Sequence, residues 1–376
     1  MPLLPDLAQL RIFCMPIYMD RHDFSANLTA EQVAELHLKD LAIQHSYGCR
    51  GLTYWFDARR KTTFCLIEAP DKESLSRMHK EAHNDVPTRI IEVNASLVES
   101  FLGRIEDPDT EPNIIDESAF RFIMVVDLQN TFLPNNYPAH FPASGKKFCN
   151  EVSNVLHANK GSIVEKTEFH FLVSFKSVSD AVNVALEISR LFKKSSAHFN
   201  REEIVLKTAI SAGVPVTEKS LLFEDAIKLA KRMCEFIKGE IILSAEVDYL
   251  YKKENIDYFF EKKELISLTP DDEKFLTSLI EYTESAWNNY KFSVRSLNKP
   301  LACSKSKLYR KIHSLTGRSP NTFIIDYRLK EALKLLNKKM GNVSDVAFET
   351  GFSSLSYFSK CFQKKYGCLP STLLHR

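Results

Sequence analysis

The sequence predicts a multidomain α+β protein, with two α+β domains on the N-terminal side and an all-α domain at the C-terminal end. Three observations carry this. The chain has 376 residues, and at roughly 100–200 residues per domain that length divides into two or three domains. Strand-like runs alternate with helical periods as far as the polar stretch at 267–274 and then vanish. The charge shifts in the same place: from Lys291 to Arg376 seventeen Lys and Arg oppose four acidic residues, an excess of thirteen positive charges. The whole chain carries only +2, so the residues before Lys291 hold an excess of eleven negative charges. A basic end on an acidic body points to a polyanion as partner of the C-terminal domain.

The remaining composition excludes several classes. With 44% hydrophobic and 26% charged residues the chain is globular, and runs such as "FIMVV" at 122–126 fall far short of the roughly 18–20 residues of a membrane span. No membrane association is expected. The opening "MPLLPDLAQLRIFC" lacks the basic, apolar and small-residue succession of a secretory signal, so the cytoplasm is the expected location. Eight Cys without a C-x-x-C pair read as reduced thiols, not as a zinc ribbon or disulfide scaffold.

Two breaks divide the chain. "EDPDTEPNIIDES" (106–118) is acidic, carries prolines and has no period, and "SLTPDDEK" (267–274) is a second polar stretch. The expected domains are 12–105, 118–264 and 272–376. In the first, "RIFCMPIYM" (11–19) reads as a strand. Thr29 with Gln32 forms a capping box for a helix through His45, with Gly48 beyond it. "CRGLTYWFD" and "TTFCLIEA" are strands around the turn "ARRK", Asp71 opens a helix to His83, and "TRIIEV" is a last strand. This β-α-β-β-α-β order is the ferredoxin-like arrangement.

The same segment holds His22, His37, His45, His79 and His83, five of the 11 histidines. His79 and His83, four apart, share one helix face, where two imidazoles can occupy adjacent positions on a metal. His37 and Asp40 sit three apart on the other helix, and Glu68 ends a strand. Imidazole with carboxylate suits zinc, nickel or similar divalent ions; exposed or hydrogen-bonded histidines are the structural alternative.

From Met15 to Arg104, "MPIYMDRHD", "KDLAIQHSYGCRGLTYWFD", "FCLIEAPDKES", "HKEAH" and "IIEV…FLGRIEDP" resemble a small family of bacterial ferredoxin-like proteins, some described as nickel-binding. The resemblance implies a divalent metal such as nickel among His22, His37, His79 and His83, without fixing which of them ligate. It also implies Met15 as the functional start.

In the middle segment, the strand "FRFIMVVDLQNTF" (120–132) ends near Asp127. A helix near 144–159, the hairpin "GSIVEKTEFHFLVSF" (161–175), the helix "SDAVNVALEISRLF" and the strand "IVLKTAISAGVPV" (204–216) repeat the ferredoxin-like order. A helix "EDAIKLAKRMCEFI" and "GEIILSAEV" (239–247) follow. With "AISAGVPV", "AIKLAKRMCEFIKGEIILS" and the Asp-bearing strand, the segment resembles the class III nucleotidyl cyclase homology domain. That family needs two Asp to hold two metal ions against a triphosphate. Asp127 stands in the first place, but Glu168-Phe169 occupies the second, and the family's Asn-x-x-x-Arg reads Lys228 to Arg232. The resemblance therefore implies a non-catalytic scaffold for dimerisation or ligand sensing. The alternatives are a DNA-tethered cyclase with residual activity, or a platform for protein interaction only.

At the C-terminal end, Ser304 is an N-cap, and Leu308, Ile312 and Leu315 form a buried stripe opposite Lys305, Ser306, Tyr309 and Arg310. A connecting helix "NTFIIDYRLKEALKLLNK" follows. Then "NVSDVAFETGFSSLSYFSKCFQKKYG" (342–367) repeats the plan, with a turn at Gly351 and a helix packing Phe358, Phe362 and Tyr366. Two helix-turn-helix units on a rigid connector can place two reading helices about one DNA turn, roughly 34 Å, apart.

"SKSKLYRKI…LTGRSP…YRLKEALKLL" and "VSDVAFETGFSSLSYFSKCFQKKYG…PS" closely resemble the DNA-binding domain of the AraC/XylS family. Carried over by position, the resemblance implies that Ser306, Tyr309 and Arg310 face bases, with Ser304, Lys305 and Lys307 near phosphates. In the second unit Leu355, Ser356, Tyr357 and Lys360 would face bases, while Ser354, Lys364 and Lys365 would hold the backbone. Core packing is the alternative for the two tyrosines. Pro300 departs from the family pattern and removes a backbone donor, so the first unit's leading helix should end early. The expected protein is a DNA-binding transcription regulator, not an enzyme, working as a homodimer on double-stranded DNA, with RNA polymerase as a further partner.

Overall fold

The computed structural model describes residues 15–25, 27–108, 114–130, 143–195, 204–255 and 264–374. Residues 11–14 of the expected first strand, 109–113 of the linker, 131–132 of the middle strand and the outer ends of the expected domains lie outside the described residues. The chain forms two compact units, one of Met1–Arg121 with Gly213–Asp225, the other of Phe122–Ala212 with Ala226–Arg376.

In the first unit β1 (Ile17–Asp23), α1 (Ala30–Ile43), β2 (Arg50–Asp57), β3 (Thr62–Glu68), α2 (Lys72–His83) and β4 (Arg89–Val93) follow the predicted order. They form a sheet ordered β2-β3-β1-β4, the ferredoxin-like topology, with β1 antiparallel to both β3 and β4. Thr29 and Gln32 close the expected capping box. The helix ends at Ile43 and runs into a 3-10 turn, Gln44–Tyr47, that stops at the left-handed Gly48. Side chains alternate across the pleat, so Tyr18, Asp20 and His22 share a face. Tyr18, Tyr54, Phe56, Cys65 and Ile67 pack there against Val33, Ala34, Leu75 and Met78 of α1 and α2. Met19, Trp55, Phe64 and Leu66 on the opposite face are buried as well.

An element absent from the sequence reading, α3 (Ala95–Leu102), is capped by Asn94 and ends at the left-handed Gly103. Its last carbonyls meet a buried arginine: Arg121 donates to Phe101 O at 3.1 Å, Leu102 O at 3.2 Å and Ser118 O at 2.6 Å. Burial pulls that guanidinium down to about 10. The described ends of the expected linker are packed: Ile115 is buried and its N–H donates to the Tyr54 hydroxyl at 3.0 Å. Residues Gly213–Asp225 join this unit, with Arg21 donating to Val216 O, Arg89 to Glu218 O, and Phe223 against Phe101.

The second unit begins with β5 (Arg121–Asn130), α4 (Ala143–Ala158), β6 (Ser162–Lys166), β7 (His170–Phe175), α5 (Val178–Ser195) and β8 (Ile204–Gly213), a second ferredoxin-like core. It continues through α6 (Glu224–Phe236), β9 (Ile241–Leu243), α7 (Ala245–Glu254) and β10 (Leu265–Ser267), giving a six-stranded sheet ordered β10-β9-β8-β5-β7-β6. The expected strand at 239–247 stops at Leu243, because Ser244 caps α7 by accepting from Val247 N. The polar stretch 267–274 contains a helix start: Thr269 and Asp272 form a capping box, and Pro270 takes the first position of α8 (Pro270–Ala286), where its missing donor costs nothing.

The helical domain continues with α9 (Val294–Leu297), α10 (Lys305–Thr316), α11 (Pro320–Asn337), α12 (Val343–Glu349), α13 (Leu355–Tyr366) and α14 (Ser371–Leu374). As Pro300 predicts, α9 has 4 residues where its counterpart α12 has 7. Buried Arg328 of α11 donates from Nε to Trp287 O at 2.8 Å and from Nη2 to Asn289 O at 2.8 Å and Phe292 O at 3.1 Å. The turn between α12 and α13 crosses the same place. Gly351 has φ +79°, and a Cβ there would lie 2.8 Å from Trp287 O and 3.0 Å from Arg328 Nε. Since each lost bond from a charged donor and each carbonyl left dry costs about 1–3 kcal/mol, Arg328→Met should lower stability by about 3 kcal/mol. The midpoint of denaturant unfolding checks this; a shift no larger than that of a surface Lys→Met would refute it.

Candidate metal centre and nucleic-acid interface

β1 carries Asp20 and His22 on its helix-facing side, α2 presents His79 and His83 one turn apart, and α1 contributes Asp40. Asp20, His22 and His79 are almost wholly buried. His79 Nε2 lies 2.8 Å from Asp20 Oδ2, and its Nδ1 lies 3.1 Å from Asp40 Oδ1 and 3.2 Å from His83 Nε2. His83 Nε2 is 3.1 Å from Asp40 Oδ1. His22 Nδ1 lies 2.7 Å from Asp85 Oδ2. Two triads therefore share His79: Asp20, His22 and His79, and Asp40, His79 and His83, the ligand atoms of each lying within 4.8 Å of one another.

Two buried ring nitrogens here, His22 Nε2 and His83 Nδ1, have no hydrogen-bond partner among the described residues. His22 Nε2 does come within 3.4 Å of Asp20 Oδ1, but it is poorly aimed, so we count it as orphaned. The cluster borders a cavity of about 20 Å³, space for about one water-sized particle. Orphaned imidazole nitrogens beside buried carboxylates and a single-particle cavity fit a divalent ion of intermediate hardness.

Without an ion, protons perform the neutralisation. Burial pulls the His22 ring down, but the charge of Asp20 and the hydrogen bond to Asp85 outweigh it and raise the ring to about 9. His79 is raised to about 10 in the same way, against its own burial, by Asp20 and Asp40. Asp20 is pulled well below the usual carboxylate range despite burial, by the charges of His22 and His79. Burial pushes the neighbouring Cys65 thiol far up, which leaves it neutral; all seven cysteines among the described residues are free thiols.

Of the four histidines singled out in the sequence, His22, His79 and His83 come together. His37 joins neither triad; its Nε2 lies 3.1 Å from Asp107 Oδ2 and its ring 4.9 Å from that of Tyr54. Glu68 is held by Arg50 at 2.7 Å. Asp20 and Asp85 escaped the sequence reading. The signal for Asp20 was its i, i+2 spacing from His22 on an inward strand face.

On the helical domain, α10 and α13 are built alike. Each has 12 residues; Ser304 accepts from Lys307 N, Ser354 from Tyr357 N, and Gly317 and Gly367 end them in the left-handed region. Leu308 and Ile312 correspond to Phe358 and Phe362 in the core. The outer faces expose Lys305, Ser306, Lys307, Tyr309 and Arg310 on α10, and Leu355, Ser356, Tyr357, Lys360 and Lys364 on α13, with both serine caps exposed. Tyr309 is 51% and Tyr357 50% exposed, so neither is a core tyrosine. Tyr309 stacks on His313. Lys365 points elsewhere: its Nζ meets Asp326 Oδ1 at 2.9 Å and Asp326 O at 3.2 Å, which leaves it no reach to a phosphate. Among the described residues no helix is long and apolar enough to cross a membrane.

Residues 297–376 match a family described as helix-turn-helix domain. Residues 18–93 match the family described as nickel responsive protein SCO4226-like. Histidine kinase P4 of Formosa agariphila is 37% identical over 111 residues, which cover 30% of this chain and 8% of that protein. An uncharacterized HTH-type transcriptional regulator, YidL of Escherichia coli, is 32% identical over 102 residues, 27% of this chain and 33% of the relative. The chain thus spans a third or less of either relative's length. The crystal structure of SCO4226 from Streptomyces coelicolor A3(2) is similar at 30% identity over 20% of this chain and 94% of that one, with a TM-score of 0.20.

A folded-state pKa above the ordinary 6.5 of histidine stabilises the fold fully below pH 6.5, and the contribution is lost as pH rises through the folded value. In chelator-treated protein the first domain should therefore lose stability steadily between pH 6.5 and about 10. Equilibrium unfolding followed by circular dichroism checks this, and stability rising with pH over that range would contradict the His–Asp pairing.

Proposed function

We propose that the chain is a metal-responsive transcription regulator that binds specific double-stranded DNA through α10 and α13. The observation that carries the DNA reading is the pair of equivalently capped helices, each exposing cationic and polar side chains at its first turns, mounted on the two ends of α11. Helix N-termini with serine caps favour phosphate, and Arg310 can pair bidentately with guanine. The acidic remainder of the chain repels DNA, which leaves the contact to the basic end.

For the signal, the match of residues 18–93 to a nickel-responsive family favours nickel among the divalent ions. Asp20, His22 and His79 would hold it, with Asp40 and His83 as the second triad, and the ion would supply the positive charge that ring protons otherwise bring. Asp85 orients His22 through Nδ1, and the burial of the cluster excludes competing water.

We read the middle domain as a non-catalytic scaffold. Phe169, where a second metal carboxylate would be needed, is 2% exposed and has no ligating atom. Arg232 is engaged by Glu281 at 3.2 Å and Glu284 at 3.5 Å on α8, and Asp127 accepts from Gln129 Nε2 at 2.8 Å.

Two measurements test these readings. Calorimetric titration of the full chain with nickel, zinc and copper should show binding that His79→Ala weakens at least tenfold; no heat above buffer would discard the metal. Genome-wide capture of DNA should yield a discrete set of sites, and Arg310→Ala should cost about 1–3 kcal/mol of discrimination at one guanine. Unchanged occupancy of the same sites would remove α10 from the interface.

A further inference from the structure

Within the second unit, the middle sheet and α11 border a cavity of about 740 Å³, inside the 300–1,000 Å³ range of small-molecule sites. One wall comes from β8 and the end of α6, with Val205, Lys207 and Phe236; another comes from α11, with Tyr327 and Leu333. Seven cationic side chains line it against three carboxylates. Those carboxylates are already engaged: Asp127 accepts from Gln129, Glu235 pairs with Lys330, and Asp326 with both Arg318 and Lys365. Lys207 stands apart from the exposed Lys238, which likewise has no carboxylate partner among the described residues. The Nζ of Lys207 donates to the Ile237 carbonyl at 2.6 Å, Lys207 has no carboxylate partner among the described residues, and burial pulls its ammonium down. A largely dehydrated cation without a counter-charge is costly, and this one opens onto the same space as the Phe236 and Tyr327 rings, which stack at 6.3 Å.

We propose that this cavity binds an organic anion, a carboxylate or phosphate on a flat apolar body, with its charged end at Lys207 and its body against the apolar lining of Val205, Phe236 and Leu333. Such a ligand supplies the missing counter-charge and fills the apolar wall, which neither a bare inorganic ion nor a neutral aromatic does. Because α11 carries a helix-turn-helix unit at each end, an occupant sets the distance between α11 and α6. The site thereby regulates DNA binding; that consequence, unlike the site itself, rests on the DNA-binding reading.

The test is calorimetric titration of the full chain, without DNA, with 2-naphthoate and 2-naphthyl phosphate, using 2-naphthamide and inorganic phosphate as controls. At least one naphthyl anion should bind tenfold or more tightly than both controls, and the stronger of the two identifies the charged group. Lys207→Met and the cavity-filling Val205→Trp should each weaken that binding at least tenfold. If Lys207→Met does not fold, as judged by circular dichroism, Val205→Trp decides alone. Equal binding of the amide, or undiminished binding by folded variants, overturns the proposal. Ligand binding by protein that captures no DNA would count against the DNA reading and leave the cavity assignment standing.

Discussion

A carboxylate sealed from water must be neutralised by something within a few ångströms, and the first domain is organised around that constraint at Asp20. The residue sits in the central strand of its sheet, accepts from Cys65 N at 3.1 Å and faces two imidazoles. Its charge decides the protonation of His22 and His79, and through His79 it reaches Asp40 and the second helix. Removing any member leaves a buried charge uncompensated, which costs more than the pair contributes when intact. Protons on the rings supply that neutralisation, and on the reading proposed above a cation between them would replace the protons.

The same rule governs two arginines far from the cluster. Arg121 collects the carbonyls at the end of α3 and of the strand entrance that follows, and Arg328 collects those between α8 and α9. Each satisfies backbone acceptors where an irregular segment passes through an interior and no helix or sheet supplies donors. Arg328 also explains why Gly351 takes the turn of the second unit, since any side chain there would strike the carbonyl that the arginine holds.

Much of this was legible in the sequence because it is local. The capping box at Thr29 and Gln32, the Asp71 and Ser304 caps, the helix-breaking Pro300 and the stripe of Leu308, Ile312 and Leu315 all act within one or two turns. The His79 and His83 pair was legible for the same reason. What escaped depends on pairings distant along the chain: Asp20 with His79, Asp85 with His22, Lys365 with Asp326, and His37 turned to Asp107. The helix start within 267–274 was hidden for another reason, because an N-cap, a proline and acidic residues have the composition of a loop while forming the first turn of α8. The middle of β1 is buried on both faces, with Met19 opposite Tyr18 and Asp20, which also hides the alternation that would have marked an inward-facing Asp20.

The two reading helices share a scaffold but not a surface. Arg310 and Lys360 occupy equivalent places, yet Lys305 corresponds to Leu355 and Lys307 to Tyr357, and the leading helix of the first unit is shortened by Pro300. One half therefore presents mainly charge and the other an apolar and aromatic edge. A chain with unlike halves in tandem has a front and a back on the double helix: turning it end for end is not an equivalent fit. Whatever else it recruits would then be presented consistently toward one flank of the site, so that the direction of the bound sequence, and not only its presence, carries information.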